Sequence, residues 1–360
     1  MALTSVIKIL DSVKSSIIRT RTLKNLEFER CESGEIFYRV GNNVVLFKIL
    51  IDNRWATIRC YMRKTKHLKN IYGSNYLCDE LYIYSSSTSG YWIDVVIGEW
   101  VDGETLLTKI EEGVDNNNQE LLKLLADNFD KLAVELLDSE SAHGDLTVEN
   151  IIVTPSGELK LIDFDGAFIP ELAGFESVEI GTAAFQSPRR TTRSFSRHMD
   201  DYSIALISTA LRALSVKPDL YKKFIFRDGL MIEPQRVLKG CCEALNYMIE
   251  MFKDKNMNSA YRVAKLLSTS NEYIVQLREI LYLNSLSSPQ TSPQLSAPQS
   301  PLYVSLRNGF VGYTTAQGDC FIPHIYDDGL EFSMGEVAVC LDGRWMVLDC
   351  CGRFVRRIEK

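Results

Sequence analysis

Between His143 and Gly166 the chain reads HGDLTVENIIVTPSGELKLIDFDG, two short β-branched runs on either side of a proline and a glycine. Ile151 to Val153 and Leu159 to Ile162 have strand character, and Pro155 and Gly157 stand where a type I turn favours them, so the segment predicts a tight hairpin. Polar side chains crowd its open end, with Asp145 and Asn150 before the first strand and Asp163 after the second. Positions 150 and 163 are equidistant from a turn centred between Ser156 and Gly157. An unbulged hairpin therefore sets Asn150 opposite Asp163, within reach of one metal ion. That order of side chains suits phosphoryl transfer from ATP. Asp145 would orient or deprotonate an attacking hydroxyl, while Asn150 and Asp163 would give oxygens to the divalent metal of the triphosphate.

These residues resemble motifs of the protein-kinase superfamily. His143-Gly-Asp145-Leu followed by Asn150 is similar to the kinase catalytic loop, and Asp163-Phe-Asp-Gly166 to its metal-binding element. Gly181-Thr-Ala-Ala-Phe-Gln-Ser-Pro188 resembles the end of an activation segment. Asp200-Asp-Tyr-Ser203, with the apolar run behind it, resembles the start of the central large-lobe helix. The resemblance implies an α+β fold, a two-lobed protein-kinase-like domain over 1–283, with a β-rich small lobe to about 98 and an α-rich large lobe from about 99. It implies ATP and Mg2+ as cofactors, Asp145, Asn150 and Asp163 as catalytic residues, and Asn150 and Asp163 as the magnesium ligands. Arg59 becomes a phosphate contact, and Asp200 a support for the catalytic loop through backbone hydrogen bonds. Asp165 is open between a second metal ligand and an exposed turn residue.

Upstream, Val6, Ile9, Leu10, Val13 and Ile17 recur at helical spacing and predict an amphipathic helix packed on the domain, or lying on a membrane surface. EIFYRVG, VVLFKILI and RWATIRCYM then predict a three-stranded meander from Glu35 to Arg63. At its first turn Gly41, Asn42 and Asn43 all tolerate positive φ, so they either present N–H groups to phosphate or form a plain hairpin turn. Ala56-Thr-Ile-Arg59 stands where kinases carry a lysine on the third strand, and arginine is not its equivalent. No glutamate occurs between Cys60 and Asp79 to pair with it. Arg63, Lys64, Lys66, His67 and Lys69 occupy that stretch instead, as a solvated helix face or as a docking patch for an acidic or phosphorylated partner. Val95 to Val101 resembles the strand entering the kinase hinge, where the backbone at Glu99 and Val101 would hold adenine. Leu121 to Leu137 and Ser203 to Leu214 predict long buried helices, with helical spacing continuing in pieces to about Leu283.

Gly144 stands in place of the arginine that pairs with a phosphate on many activation segments, so phosphorylation of Thr182 or Ser177 is not expected to be a switch. Arg189-Arg190 stands where kinases have the glutamate after Pro188. These departures keep two alternatives open: a pseudokinase scaffold with weak or no nucleotide binding, and a small-molecule kinase of the aminoglycoside or choline kinase type. The GTxxFxxP ending resembles a peptide-positioning segment and favours a protein serine or threonine substrate. Arg59, HGDL, DFDG and SPRR together resemble a bacterial kinase-like branch.

At Ser285 the composition changes. SSPQTSPQLSAPQSP holds four of the ten prolines, and 284–301 reads as an extended linker. Residues 302–360 contain a 34-residue internal repeat in which Gly309 matches Gly343, Gly318 matches Gly352, and FVGYTTAQ matches RWMVLDCC. It resembles degenerate WG-repeat hairpins, with Gly312 and Trp345 keeping halves of the dipeptide and Ile322 to Asp327 fitting the segment between hairpins. Two copies make a small core, so this module is expected to dock on the body or on a protein partner. A net charge of −7 gives no general footprint for nucleic acid, and no nucleic-acid partner is expected. Nine scattered cysteines without CxxC, no signal-like N-terminus and no apolar run of about 20 residues predict reduced thiols, no membrane span and a cytoplasmic setting.

Overall fold

The predicted meander is the middle of an antiparallel sheet. The computed structural model describes residues 5–15, 18–86, 89–268, 274, 277–285, 301–307, 309–318, 320–341, 344–350, 352 and 354–358. Helix α1 (Val6–Lys14) is capped by Ser5, whose Oγ accepts the Lys8 N–H, and it buries Ile9 and Val13. Strands β1 (Glu27–Phe28), β2 (Tyr38–Val40), β3 (Val44–Ile51) and β4 (Arg54–Tyr61) follow. Helix α2 (Leu68–Tyr72) leads to β5 (Tyr76–Tyr84) and β6 (Gly90–Glu99). The sheet order is β1-β3-β4-β6-β5, with β2 also on β3. Asp52 and Asn53, at φ 48° and 59°, close the β3–β4 hairpin in a two-residue loop whose left-handed residues match the strand twist. Period-two alternation sends Ala56, Ile58 and Cys60 of β4 into a core with Ile9, Val45, Phe47, Ile49 and Leu81. Arg59 and Tyr61 consequently share the opposite face. Burial of Ile9 and Val13 in this core assigns α1 to the domain.

A second layer begins with β7 (Glu104–Thr105), α3 (Leu106–Asp115) and α4 (Gln119–Asp138), then β8 (Ile151–Val153) and β9 (Leu159–Leu161). Gly103, at φ 143°, lies against the Val153 carbonyl where a Cβ would clash, so β7 pairs closely with β8. Helix α5 (Asp201–Val216) is buried over almost its whole length, which explains its continuous apolar run. Two of its polar side chains reach α4: Ser208 donates to Asp130 (2.6 Å), and Arg212 bridges Asp127 and Asp130. Helices α6 (Leu220–Phe224), α7 (Pro234–Leu238), α8 (Glu243–Asp254), α9 (Asn258–Leu267) and α10 (Leu277–Ser285) complete the helical part. The chain is thus a mixed α+β protein, and no helix among the described residues is long and apolar enough to cross a membrane.

Of the expected linker, residues 286–300 lie outside the described residues. Beyond them come β10 (Tyr303–Arg307), β11 (Phe310–Thr314) and β12 (Cys320–Tyr326), then β13 (Asp328–Gly329), β14 (Glu336–Leu341), β15 (Arg344–Asp349) and β16 (Phe354–Arg357). Two strand triplets, β10-β11-β12 and β14-β15-β16, reproduce the sequence repeat. Ile322 to Tyr326 lies inside β12 and is not a connecting segment, because β11 pairs with it through Tyr313↔Ile322 and Val311↔Tyr326. Gly343, one of the matched glycines, lies outside the described residues. The missing Cβ of Gly312 would sit 2.7 Å from the His324 ring, so this glycine serves close strand packing. The module docks on the body: Tyr313, Ile322 and Tyr326 join one apolar cluster with Val263, Leu267 and Ile280. Buried Arg262 meets Asp327 at 3.0 Å.

Candidate functional site

The hairpin of β8 and β9 carries the polar residues, with a register the sequence reading missed. Gly157, at φ 83°, donates its N–H to Thr154 O (2.8 Å), and Thr154 N–H donates to Glu158 O (2.9 Å). A three-residue loop ending in a left-handed glycine adds a residue to one side of the turn. Pairing accordingly centres on Ser156, with Ile151↔Leu161 and Val153↔Leu159. Asn150 therefore faces Ile162, whose N–H it accepts at 3.0 Å, and Asp163 lies one residue further out. Asp163 adopts φ 69° there, which turns the chain out of the strand toward β4.

The loop before the hairpin is held from below. Asp200, 3% exposed at the start of α5, accepts the backbone N–H groups of His143 (2.5 Å) and Gly144 (3.0 Å). This is the backbone support expected of it. The His143 ring hydrogen-bonds Ile162 O at 2.8 Å and packs on Phe164 at 4.8 Å. Asn150 donates its side-chain N–H to Asp145 O (2.8 Å), which orients the amide and leaves Oδ1 as its acceptor atom. Asp145 Oδ1 accepts the Thr182 N–H at 2.6 Å, so the downstream segment lies directly on the carboxylate. Gly144, at φ 85°, has no room for a Cβ beside Gly166 O. Arg190, one of the pair in the expected glutamate position, turns inward and is buried. Its guanidinium donates to Gly144 O (2.8 Å) and to Gln186, which ties the end of the segment to the loop.

Arg59 projects from β4 into the same region. Its Nη2 pairs with Asp163 Oδ1 and stands 3.3 Å from Asp165 Oδ2, while Nη1 donates to the Tyr72 hydroxyl at 3.0 Å. The Tyr61 and Tyr72 hydroxyls both donate to Asp165 Oδ1, at 2.8 and 2.7 Å. Burial works against the Arg59 cation, but Asp163 and the other partners outweigh it and hold its pKa above the ordinary value. Asp165 is therefore not an exposed turn residue: its carboxylate is held by Arg59, Tyr61 and Tyr72. Glu179 lies nearby, and partial burial together with the charges of Asp145, Asp165 and Asp163 pushes its carboxyl above the usual range. A cavity of about 250 Å³ opens beside this cluster, lined by Ile71, Tyr72, Ala142, His143, Phe164 and Phe168.

The remaining expected contacts are arranged differently. None of Gly41, Asn42 and Asn43 takes positive φ. The Gly41 N–H is bonded to Val44 O (2.9 Å), and the Asn43 amide donates to Thr65 (2.7 Å), so this turn serves the hairpin and the neighbouring loop. Glu99 ends β6 opposite Ala56, with Val101 two residues on. Of the basic residues only Lys69 lies on α2; Arg63 to His67 form the loop before it, and the His67 ring packs on Phe175 at 5.3 Å. Oxygen donors suited to magnesium are present: the second carboxylate oxygen of Asp163, Asn150 Oδ1 and Asp145. The sequence reading missed Tyr61, Tyr72, Glu179 and the inward path of Arg190. Tyr61 had a signal, two residues from Arg59 on one strand face; Tyr72 had none. A scan against protein-family models finds no match for this chain, and a search of the curated proteins finds none either.

Proposed function

We propose that this chain is a two-lobed, kinase-like phosphotransferase that takes Mg-ATP between its six-stranded sheet and its helical part and phosphorylates a protein serine or threonine hydroxyl. The observation that carries the reading is how Asp145 is held. Asp200 grips the two peptide N–H groups before it, Asn150 takes its carbonyl, and Thr182 takes one carboxylate oxygen. The second oxygen is left to accept the hydroxyl proton as the new O–P bond forms and the bond to the leaving diphosphate breaks. Such a positioned base contributes a factor of roughly 10²–10⁴. Magnesium, held by Asn150 and Asp163, would neutralise phosphate charge. Arg59 adds a fixed cation at the same end of the cleft. The repeat module, degenerate against the WG pattern, is the candidate protein-binding surface.

The test is transfer from radiolabelled ATP by purified protein beside Asp163→Ala and Asp145→Asn. Equal labelling in all three removes the reading. A second reading, an interaction scaffold that does not take nucleotide, is favoured by one contact, the Arg59 guanidinium on the carboxylate meant for the metal. A thermal shift separates the two, since Mg-ATP at a hundred times its Kd stabilises by about 2.7 kcal/mol. No shift at millimolar Mg-ATP removes the phosphotransfer reading.

A further inference from the structure

The stretch from Cys60 to Asp79 has no glutamate, the strand cation is an arginine, and an extra carboxylate follows two residues after Asp163. The structure makes these three peculiarities one arrangement. A buried guanidinium needs a standing carboxylate, and α2 has none to give. Its Tyr72 hydroxyl accepts from Arg59 and donates to Asp165, so the helix contributes a relay in place of a charge. The two candidate counter-ions differ in exposure: the Asp163 side chain is 44% exposed, that of Asp165 17%. Asp165 Oδ1 takes two phenol hydroxyls while Oδ2 faces the guanidinium, so both its oxygens are committed to the protein. Arginine suits this place because its planar fork addresses Tyr72, Asp163 and Asp165 at once, which a lysine ammonium does not.

We infer that Asp165, fixed by Tyr61 and Tyr72, is a positioning residue: it is the permanent counter-ion of Arg59 and keeps the guanidinium at the phosphate end of the cleft when Asp163 turns to the metal. The inference rests on the phosphotransfer reading for its purpose, but its charge pairing is measurable without nucleotide.

The experiment uses the full chain and five variants: Arg59→Gln, Asp165→Asn, their double, Tyr72→Phe, and Asp165→Asn combined with Tyr72→Glu. Urea midpoints of the nucleotide-free proteins come first. Each single charge variant is expected to lower the midpoint, with the double no lower than the worse single; additive losses overturn the inference. Mn-ATP is the second probe. Asp165→Asn is expected to weaken it at least tenfold, the double no further than Arg59→Gln, and Tyr72→Phe by a smaller factor. A glutamate introduced at position 72 should restore at least threefold of the Asp165→Asn loss by returning the charge from α2. Wild-type affinity in Asp165→Asn overturns the inference. Should Asp165→Asn not fold, the Tyr61→Phe/Tyr72→Phe double variant decides, with weakened Mn-ATP in support and unchanged Mn-ATP against. Wild-type protein that does not bind Mn-ATP defeats the phosphotransfer reading, and the nucleotide-free midpoints then judge the counter-ion alone.

Discussion

Replacing Asp200 should unfasten the Asp145 loop. Its carboxylate accepts two N–H groups, from His143 and Gly144, at a position 3% exposed. Asp200→Ala leaves both donors without an acceptor, and a stranded buried donor costs about 1–3 kcal/mol. The total is roughly 4 kcal/mol, a large part of the ~5–15 kcal/mol that holds a domain folded. Asp200→Asn retains one acceptor oxygen but turns an amide N–H₂ toward the second donor, so about half that loss, ~2 kcal/mol, is expected. Equilibrium urea unfolding with the slope checked for constancy measures both values. An alanine loss below about 1 kcal/mol, or an asparagine variant as unstable as alanine, would refute the reasoning that these two bonds anchor the loop. Phosphoryl transfer, where present, should fall in the same order, because the variants release the backbone that presents Asp145.

Gly144→Arg, which introduces the residue that many kinases carry before the catalytic aspartate, should destabilise: φ 85° alone costs a side chain roughly 1–3 kcal/mol, and Gly166 O blocks the Cβ. A melting temperature equal to wild type would contradict this. Alanine at both Ser177 and Thr182 should leave transfer within about tenfold of wild type, or ~1.4 kcal/mol. Thr182 uses its backbone N–H, and Ser177 is buried with its hydroxyl on Glu179 O; a larger loss in a labelling assay would restore a switch. In the repeat module, burial foremost and Arg307 second hold the His324 pKa below its ordinary value. The unfolded chain then takes up the proton first, so stability present above about pH 6.5 is lost as pH falls below it. His324→Leu should flatten that part of the midpoint-versus-pH curve, and an unchanged slope would assign it to another group.

Much of the fold was legible because periodicity reports burial directly. The apolar positions of α1, the long period of α4 and the unbroken run of α5 are patterns that any packed helix of their kind must carry. The meander strands β2, β3 and β4 were likewise delimited by their turn residues. Strand β5 and the first half of β6 escaped, since Tyr, Trp and Asp interrupt the alternation there and burial is shared with neighbours far along the chain. The hairpin itself was foreseen but its register was not. Whether Gly157 closes a loop of two or three residues depends on its φ, and that difference moved Asp163 from a place opposite Asn150 to one beside Arg59.

The candidate site divides in the same way. Local spacing along HGDLTVEN and DFDG marked Asp145, Asn150 and Asp163 as candidates, because the three stand in short loops at the open end of one hairpin. The partners of Arg59 were beyond the reach of that logic. Tyr72 comes to it from 13 residues along the chain and Asp165 from a segment far beyond that, while Arg190 reaches back to Gly144. Side-chain chemistry and local conformational preference are properties of a stretch of sequence. Which buried charge meets which is settled only when the layers close and each ion must find its partner out of water.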